Sequence, residues 1–188
     1  MRAVLSDIAL RLALECGVDK VRVEDIAAAA DVSPRTFNNY FSSKEAAIVG
    51  NAYRRSEQIR DALASRPAGE PLEQALRAAV LTSFPETPDR QWAARIMLLR
   101  DDPALLGQQR KADLEIERAL AAAIADRTRI DPARDIYPWL LASTLVATLR
   151  TAVLFWSDAP SGGPTLHQTL DQAIGRLRIS PPDEGNVD

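Results

Sequence analysis

An all-α fold of about nine helices, a three-helix N-terminal head followed by a larger helical domain, is what the sequence predicts. Three observations lead there. Alanine, leucine and arginine dominate while aromatics make up only 5% of the 188 residues, a balance that favours helix over sheet. No stretch alternates β-branched and polar residues as a half-buried strand would. Apolar residues recur three and four positions apart, and prolines and aspartates punctuate the runs. Hydrophobic residues at 46% are ample for one compact unit or two small ones sharing a core.

The first helix is expected from near Met1 to Cys16, with Leu5, Ile8, Leu12 and Cys16 as its inward stripe and Gly17 as its stop. On this stripe Cys16 is expected to be a small buried apolar residue. A lone cysteine excludes a disulfide framework and fits a reducing cytosol. Asp7, Arg11 and Glu15 interrupt the apolar start on a helical period, so no signal peptide is expected.

The next stretch, VEDIAAAADVSPRTFNNYFSSK at Val23–Lys44, organises the chain. Glu24 and Asp25 place acidic charge where a helix dipole is positive. Ile26 and Ala30 give this helix an inward face, and Ala27 to Ala29 keep it slim. Asp31 sits at the break, being one of the few types that tolerates a left-handed backbone. Val32 turns back to the core. Ser33-Pro34 combines a hydroxyl N-cap with proline at the first helical position. Phe37 and Phe41 bury one face of the second helix, leaving Arg35, Thr36, Asn38, Asn39 and Tyr40 largely on the other. Ser42 and Glu45 form a capping-box pattern, so a third helix starts at once.

Two short helices, a tight turn and an outward polar face make a helix-turn-helix. The chemistry suits a major groove: arginine donates twice to guanine, asparagine pairs with adenine, and hydroxyls reach phosphates. The candidate DNA contacts are Arg22, Ser33, Arg35, Thr36, Asn38, Asn39, Tyr40 and Lys44, with Arg35 as base reader and Tyr40 and Lys44 on phosphate. The net charge of −3 gives no global push toward DNA, so binding must rest on the local patch of Arg22, Arg35 and Lys44, doubled in a dimer.

Gly17 together with VRVEDIAAAADVSPRTFNNYFSSKEAAI at Val21–Ile48 resembles the DNA-binding domain of the tetracycline-repressor (TetR) family of one-component regulators. The likeness implies a homodimer that binds operator DNA and answers to a small effector. Three positions depart from the family pattern: Asp31 stands where glycine is most common, Arg22 where threonine often binds phosphate, and Asn38 where tyrosine is common.

Beyond the head, one helix is expected from Ser43 to about Ser65, joining the two domains and serving as the lever between them. Helices should follow at Pro71–Phe84, Asp89–Arg100, Pro103–Thr128, Pro132–Ser157 and Thr165–Arg178, with Asp131-Pro132 as another capped start. Trp139–Trp156 is the longest apolar stretch, but Arg150, Ser143 and several threonines make it a bundle helix rather than a membrane span. The expected division is a DNA-binding domain at 1–50, a ligand-binding and dimerisation domain at 51–178 and a disordered tail at 179–188.

MLLRDDPALLGQQRKADLEIERALAAAIADRTRIDPARDIYPWLLASTLVATLRTAVLFW at Met97–Trp156 is similar to the regulators associated with mycofactocin gene clusters, some of which answer to acyl-CoA-like ligands. The dimer candidates are the stripes Leu141, Leu145, Leu149, Val153 and Leu166, Leu170, Ile174, Leu177, whose alternative is plain intramolecular core. The pocket candidates are Phe84, Trp92, Ile96, Leu99, Trp139, Ser143, Arg150 and Phe155. Arg150 is expected to be buried, paired either with Glu115 or Glu117 or with an acidic ligand group. His167 is expected at the surface or an interface.

The resulting expectation is a cytoplasmic homodimeric repressor, released from a palindromic operator by a small apolar or amphipathic effector such as an acyl-CoA, with no cofactor, no metal and no membrane partner. An activator or a ligand-independent DNA-binding protein of the same fold is the alternative. An enzyme is the remote one, since one cysteine, one histidine and no HxxxH, ExxH or CxxC spacing leave catalysis little to work with.

Overall fold

The computed structural model describes residues 1–88, 90–160 and 162–177, and among them ten α-helices, one 3₁₀ turn and no strand. The helices are α1 (Arg2–Cys16), α2 (Val23–Ala29), α3 (Pro34–Asn38), α4 (Lys44–Val49), α5 (Asn51–Ala64), α6 (Leu72–Ser83), α7 (Arg90–Asp101), α8 (Pro103–Thr128), α9 (Tyr137–Asp158) and α10 (Leu166–Ile174). Two compact units result, one from Met1–Arg55 with Pro88–Asp113, the other from Ser56–Thr87 with the chain from Leu114 onward. The boundary falls inside α5 and inside α8.

In the first unit, α1 ends where Gly17 turns to φ 88° and returns its N–H to the Ala13 carbonyl. The buried face of α1 is Leu5, Ser6, Ala9, Leu10 and Ala13. Ile8 and Leu12 lie at its margin, and Cys16 is exposed, with Sγ 3.1 Å from the Leu12 carbonyl. The expectation of a buried Cys16 is therefore corrected. Ser6, Ala9 and Ala13 turn inward beside Leu5 and Leu10, and their small side chains let α1 pack closely on α4.

Ser6 marks that approach: its buried hydroxyl donates to the Ala47 carbonyl at 2.7 Å. Gly50 lies beside it, where a Cβ would sit 2.8 Å from Ser6 Oγ and 3.1 Å from the Phe41 ring. Here the expected Ser43–Ser65 helix is divided. Gly50 keeps helical angles, φ −53° and ψ −24°, but its N–H tightens onto Ala47. The cap of α4 is Ser43, accepting from Ala46 N at 3.1 Å, one residue beyond the expected Ser42.

Around this joint Val18, Val21, Ile26, Ala27, Phe37, Phe41, Ile48 and Val49 form one core, to which α8 adds Leu105 and Ala112. Leu98 and Leu99 of α7 pack against it.

In the second unit α10 packs along α9 and against α6. Thr165 and Gln168 form a reciprocal capping box at the start of α10, and Arg77 of α6 pairs with Asp171. Arg127 of α8 donates to the carbonyls of Arg66 (3.3 Å), Pro67 (2.7 Å) and Glu70 (3.0 Å), fixing the turn between α5 and α6. His167 is half-buried, its Nε2 2.9 Å from the Phe84 carbonyl.

Helix α9 starts at Tyr137, not Pro132. Asp131 Oδ1 accepts from Ala133 N and Asp135 Oδ1 from Tyr137 N, so 131–135 form a turn before the helix begins. By length and composition α9 could span a membrane, yet one of its faces is core. Leu141, Leu145, Leu149 and Val153 are buried within the chain, as are Leu166, Leu170 and Ile174. Within the chain these residues pack in the core of the second unit, where α10 lies along α9. Leu177 is half-buried beyond the end of α10. The expected end of the last helix at Arg178 and the tail at 179–188 lie outside the described residues.

Replacing Gly50 with alanine should lower stability by about 1–3 kcal/mol, since Ser6, Phe41 and the Ala47 carbonyl leave no room for a methyl group. Urea unfolding of Gly50→Ala against the native chain measures it, and an unchanged midpoint would show that the joint relaxes freely.

Candidate nucleic-acid interface

The site grows from local chain chemistry. α2 closes through Asp31 at φ 54°, and Val32 N reaches back to the Ala27 carbonyl at 3.0 Å. Asp31 thus takes the left-handed position its type permits. Ser33 Oγ accepts from Thr36 N at 3.1 Å and lies 3.0 Å from Thr36 Oγ1, with Pro34 beginning the helix. α3 is short, but Phe37, 0% exposed, pins it. Its ring lies 5.8 Å from that of Phe41, and the Arg2 guanidinium covers Phe41 at 4.8 Å. Burying one aromatic on so short a helix determines which side chains face outward.

Arg35, Asn38, Asn39 and Tyr40 are exposed, as are Ser33 and Arg22, the residue that precedes α2. Thr36 is half-buried and shares the Ser33 cap. Two amides and a guanidinium in solvent on one short helix are the groups that base edges in the major groove can engage.

Lys44 has another task. Its ammonium donates to the carbonyls of Val18 (2.8 Å), Val21 (2.9 Å) and Asp19 (3.3 Å). An ammonium has three protons, and all three close the 3₁₀ turn Val18–Lys20 that leads into α2. The assignment of Lys44 to phosphate is corrected: its side chain ties α4 to the loop before α2. Sequence reasoning also missed Arg2 on Phe41 and the Ser6–Ala47 bond, because neither has a spacing signature.

The eight pocket candidates are divided between the two units. Trp92, Ile96 and Leu99 belong to the first unit, where Leu99 packs on the head core. Phe84, Trp139, Ser143, Arg150 and Phe155 belong to the second. There Phe84 is buried, while Ser143 is half-buried and donates to Glu117 at 3.3 Å. Trp139 is exposed and donates its indole N–H to the Pro132 carbonyl. Phe155 is 63% exposed. Arg150 is exposed too, so the expectation that it is buried is corrected: it lies beyond the edge of the buried face of α9, well round the helix from Leu145.

Comparison with known proteins places the chain among regulators. Residues 5–47 match the family described as bacterial regulatory proteins, tetR family, and residues 70–180 match the MftR C-terminal domain. The HTH-type transcriptional regulator TcmR of Streptomyces glaucescens is 31% identical over 179 residues, covering 90% of this chain and 79% of that protein. A protein named as the mycofactocin biosynthesis transcriptional regulator MftR of Mycobacterium tuberculosis is 27% identical, covering 81% of this chain and 77% of its own. Among solved structures, a tetR-family regulator from Streptomyces coelicolor superposes with TM-score 0.55 at 19% identity, covering 92% of this chain and 76% of that one. FadR from Thermus thermophilus, a repressor solved in complex with lauroyl-CoA, gives TM-score 0.54 at 24% identity, covering 98% of this chain and all of that one.

Lys44→Met should cost about 1–3 kcal/mol of stability by leaving three carbonyls without their donor. The slope of DNA affinity against salt should stay unchanged, where loss of a phosphate contact would flatten it. Chemical denaturation and a salt titration together decide between the two roles.

Proposed function

The chain belongs to the tetR family of bacterial regulatory proteins, and from that premise we propose that it is a cytoplasmic homodimeric repressor, released from a palindromic operator by a small effector. The observation that carries the reading is the α3 face, with Arg35, Asn38 and Asn39 in solvent on a helix pinned by Phe37. Residues 1–50 are assigned to DNA and 51–178 to effector and partner. Arg35 reads guanine, Asn38 and Asn39 read neighbouring bases, and Arg22, Ser33, Thr36 and Tyr40 hold phosphate. Two heads about 34–36 Å apart then require a two-fold symmetric site.

Support for an apolar or amphipathic, acyl-CoA-like effector comes from the MftR-type C-terminal match and from a fold neighbour crystallised with lauroyl-CoA. α5 and α8 each contribute to both compact units, which makes them the segments through which an effector would act on the head. A coupling of about 1–3 kcal/mol would weaken operator binding 5- to 150-fold. Nothing in this mechanism calls for catalysis.

The partner copy is assigned to α9 and α10, whose apolar stripes are buried within the chain, with the exposed side of α9, where Leu140 is 47% and Phe155 63% exposed, as the part open to a second copy. The double variant Leu140→Asp/Phe155→Asp should sediment as a folded monomer. A dimer that survives both changes would move the interface elsewhere.

Selection from random duplex DNA by the purified protein tests the reading directly. An enriched palindrome is expected, and Arg35→Ala should cost about 1–3 kcal/mol and relax preference at one position per half-site. Failure to enrich any sequence, with and without acyl-CoA, would overturn the reading.

A further inference from the structure

With Lys44 tied to the loop before α2, the interface is short of charge. Of the three cations expected in the DNA patch, Arg22 and Arg35 stand in solvent, while the Lys44 ammonium is spent on the carbonyls of Val18, Asp19 and Val21. A chain of net charge −3 gains little from long-range attraction. Cations close to α3 must then supply the salt-dependent part of binding.

The packing of α1 brings a further cation to that place. Ser6 donates to the Ala47 carbonyl of α4. Arg2, four residues earlier on the same face of α1, lies over Phe41, six residues before Ala47. One turn back along α1 thus corresponds to the step back from α4 to its junction with α3. There Tyr40 and Ser42 are exposed on either side of the buried Phe41. Arg2 is itself exposed, and its guanidinium carbon is 4.8 Å from the centre of the Phe41 ring. We propose that Arg2 is a phosphate-binding residue of the head, held beside the recognition face by its contact with Phe41.

The chemistry suits this role. A cation on an aromatic ring is held by the negative face of the ring and keeps its charge. Five N–H groups let one guanidinium retain contacts within the chain and still reach a phosphate oxygen. Phe41 is also the ring that packs on Phe37, 5.8 Å away, so one aromatic pair both orients α3 and seats Arg2. A side chain seated before DNA arrives loses less freedom on binding. Phosphate is favoured over a base edge because Arg2 belongs to α1, outside the helix whose side chains enter the groove. Contacts of that kind fix register without reading sequence.

This role rests on the DNA reading above, and salt titrations of duplex binding by the full chain test it. Arg2→Met keeps an apolar, polarisable cover on Phe41 and removes the charge. Its slope of log affinity against log salt should be flatter than the native slope by about 0.9 per head. Affinity should fall by the same factor on every duplex, and the melting temperature should stay near that of the native chain. Arg2→Lys should keep the native slope. Arg2→Gln, neutral but polar, repeats the test should methionine unfold the head.

A native slope in Arg2→Met or in a folded Arg2→Gln overturns the role and leaves Arg2 as a packing residue of Phe41. A loss confined to one operator position overturns it too, since that marks a base reader. In both cases the regulator reading stands, because the native chain still enriches its palindrome. If the native chain binds duplex without enriching any sequence, the operator reading falls and the slopes on random duplex still decide Arg2. A native chain that binds no DNA removes both.

Discussion

Burial of Phe37 is the constraint on which the head depends. α3 has too few residues to be stable on its own propensity, since short helices in water do not recover their nucleation cost. It persists because one ring reaches into the core, a second ring at Phe41 packs against the first, and Ser33 satisfies the opening N–H groups. Remove the inward ring and the outward side chains have no fixed direction. The exposed guanidinium and amides are positioned by an apolar contact they never touch.

Two cations extend that logic from packing to loop geometry. Lys44 gathers the carbonyls of the turn before α2, and Arg127 gathers those of the turn between α5 and α6. In both cases a loop that cannot form a regular ladder sends its acceptors to one basic side chain. Charge-assisted bonds are stronger than neutral ones, so one residue can hold a segment that has no secondary structure of its own.

Local signals in the sequence were legible where the physics is local. Asp31 at the break, Ser33-Pro34 at the helix start and Gly17 at the helix stop each follow from a single residue's backbone preference, and each is observed. The apolar stripes of α9 and α10 were equally legible. Periodicity, however, says that a face is covered and not by what, and the two stripes cover each other. The same limit misplaced Cys16 and Arg150. On α1 the inward face was chosen by Ser6 and Gly50 closing on each other, and on α9 Arg150 fell outside the buried stripe. Arg95, by contrast, sits in an apolar run much as Arg150 does, yet it is the one drawn inward. No spacing rule distinguishes them; only the neighbours contributed by distant segments do.

Leu105 and Ala112 complete a core whose other members nearly all lie before residue 50. The first unit is therefore discontinuous in the order of synthesis. A ribosome that has made Val49 must add roughly sixty more residues before the last wall of that core exists, about 3–12 s at ordinary elongation rates. During that interval the nascent head has its recognition residues in hand but not the interior that holds them. A chain released early would carry the whole helix-turn-helix and still lack a finished fold, so the geometry that reads DNA becomes available only once the chain is well into its C-terminal half.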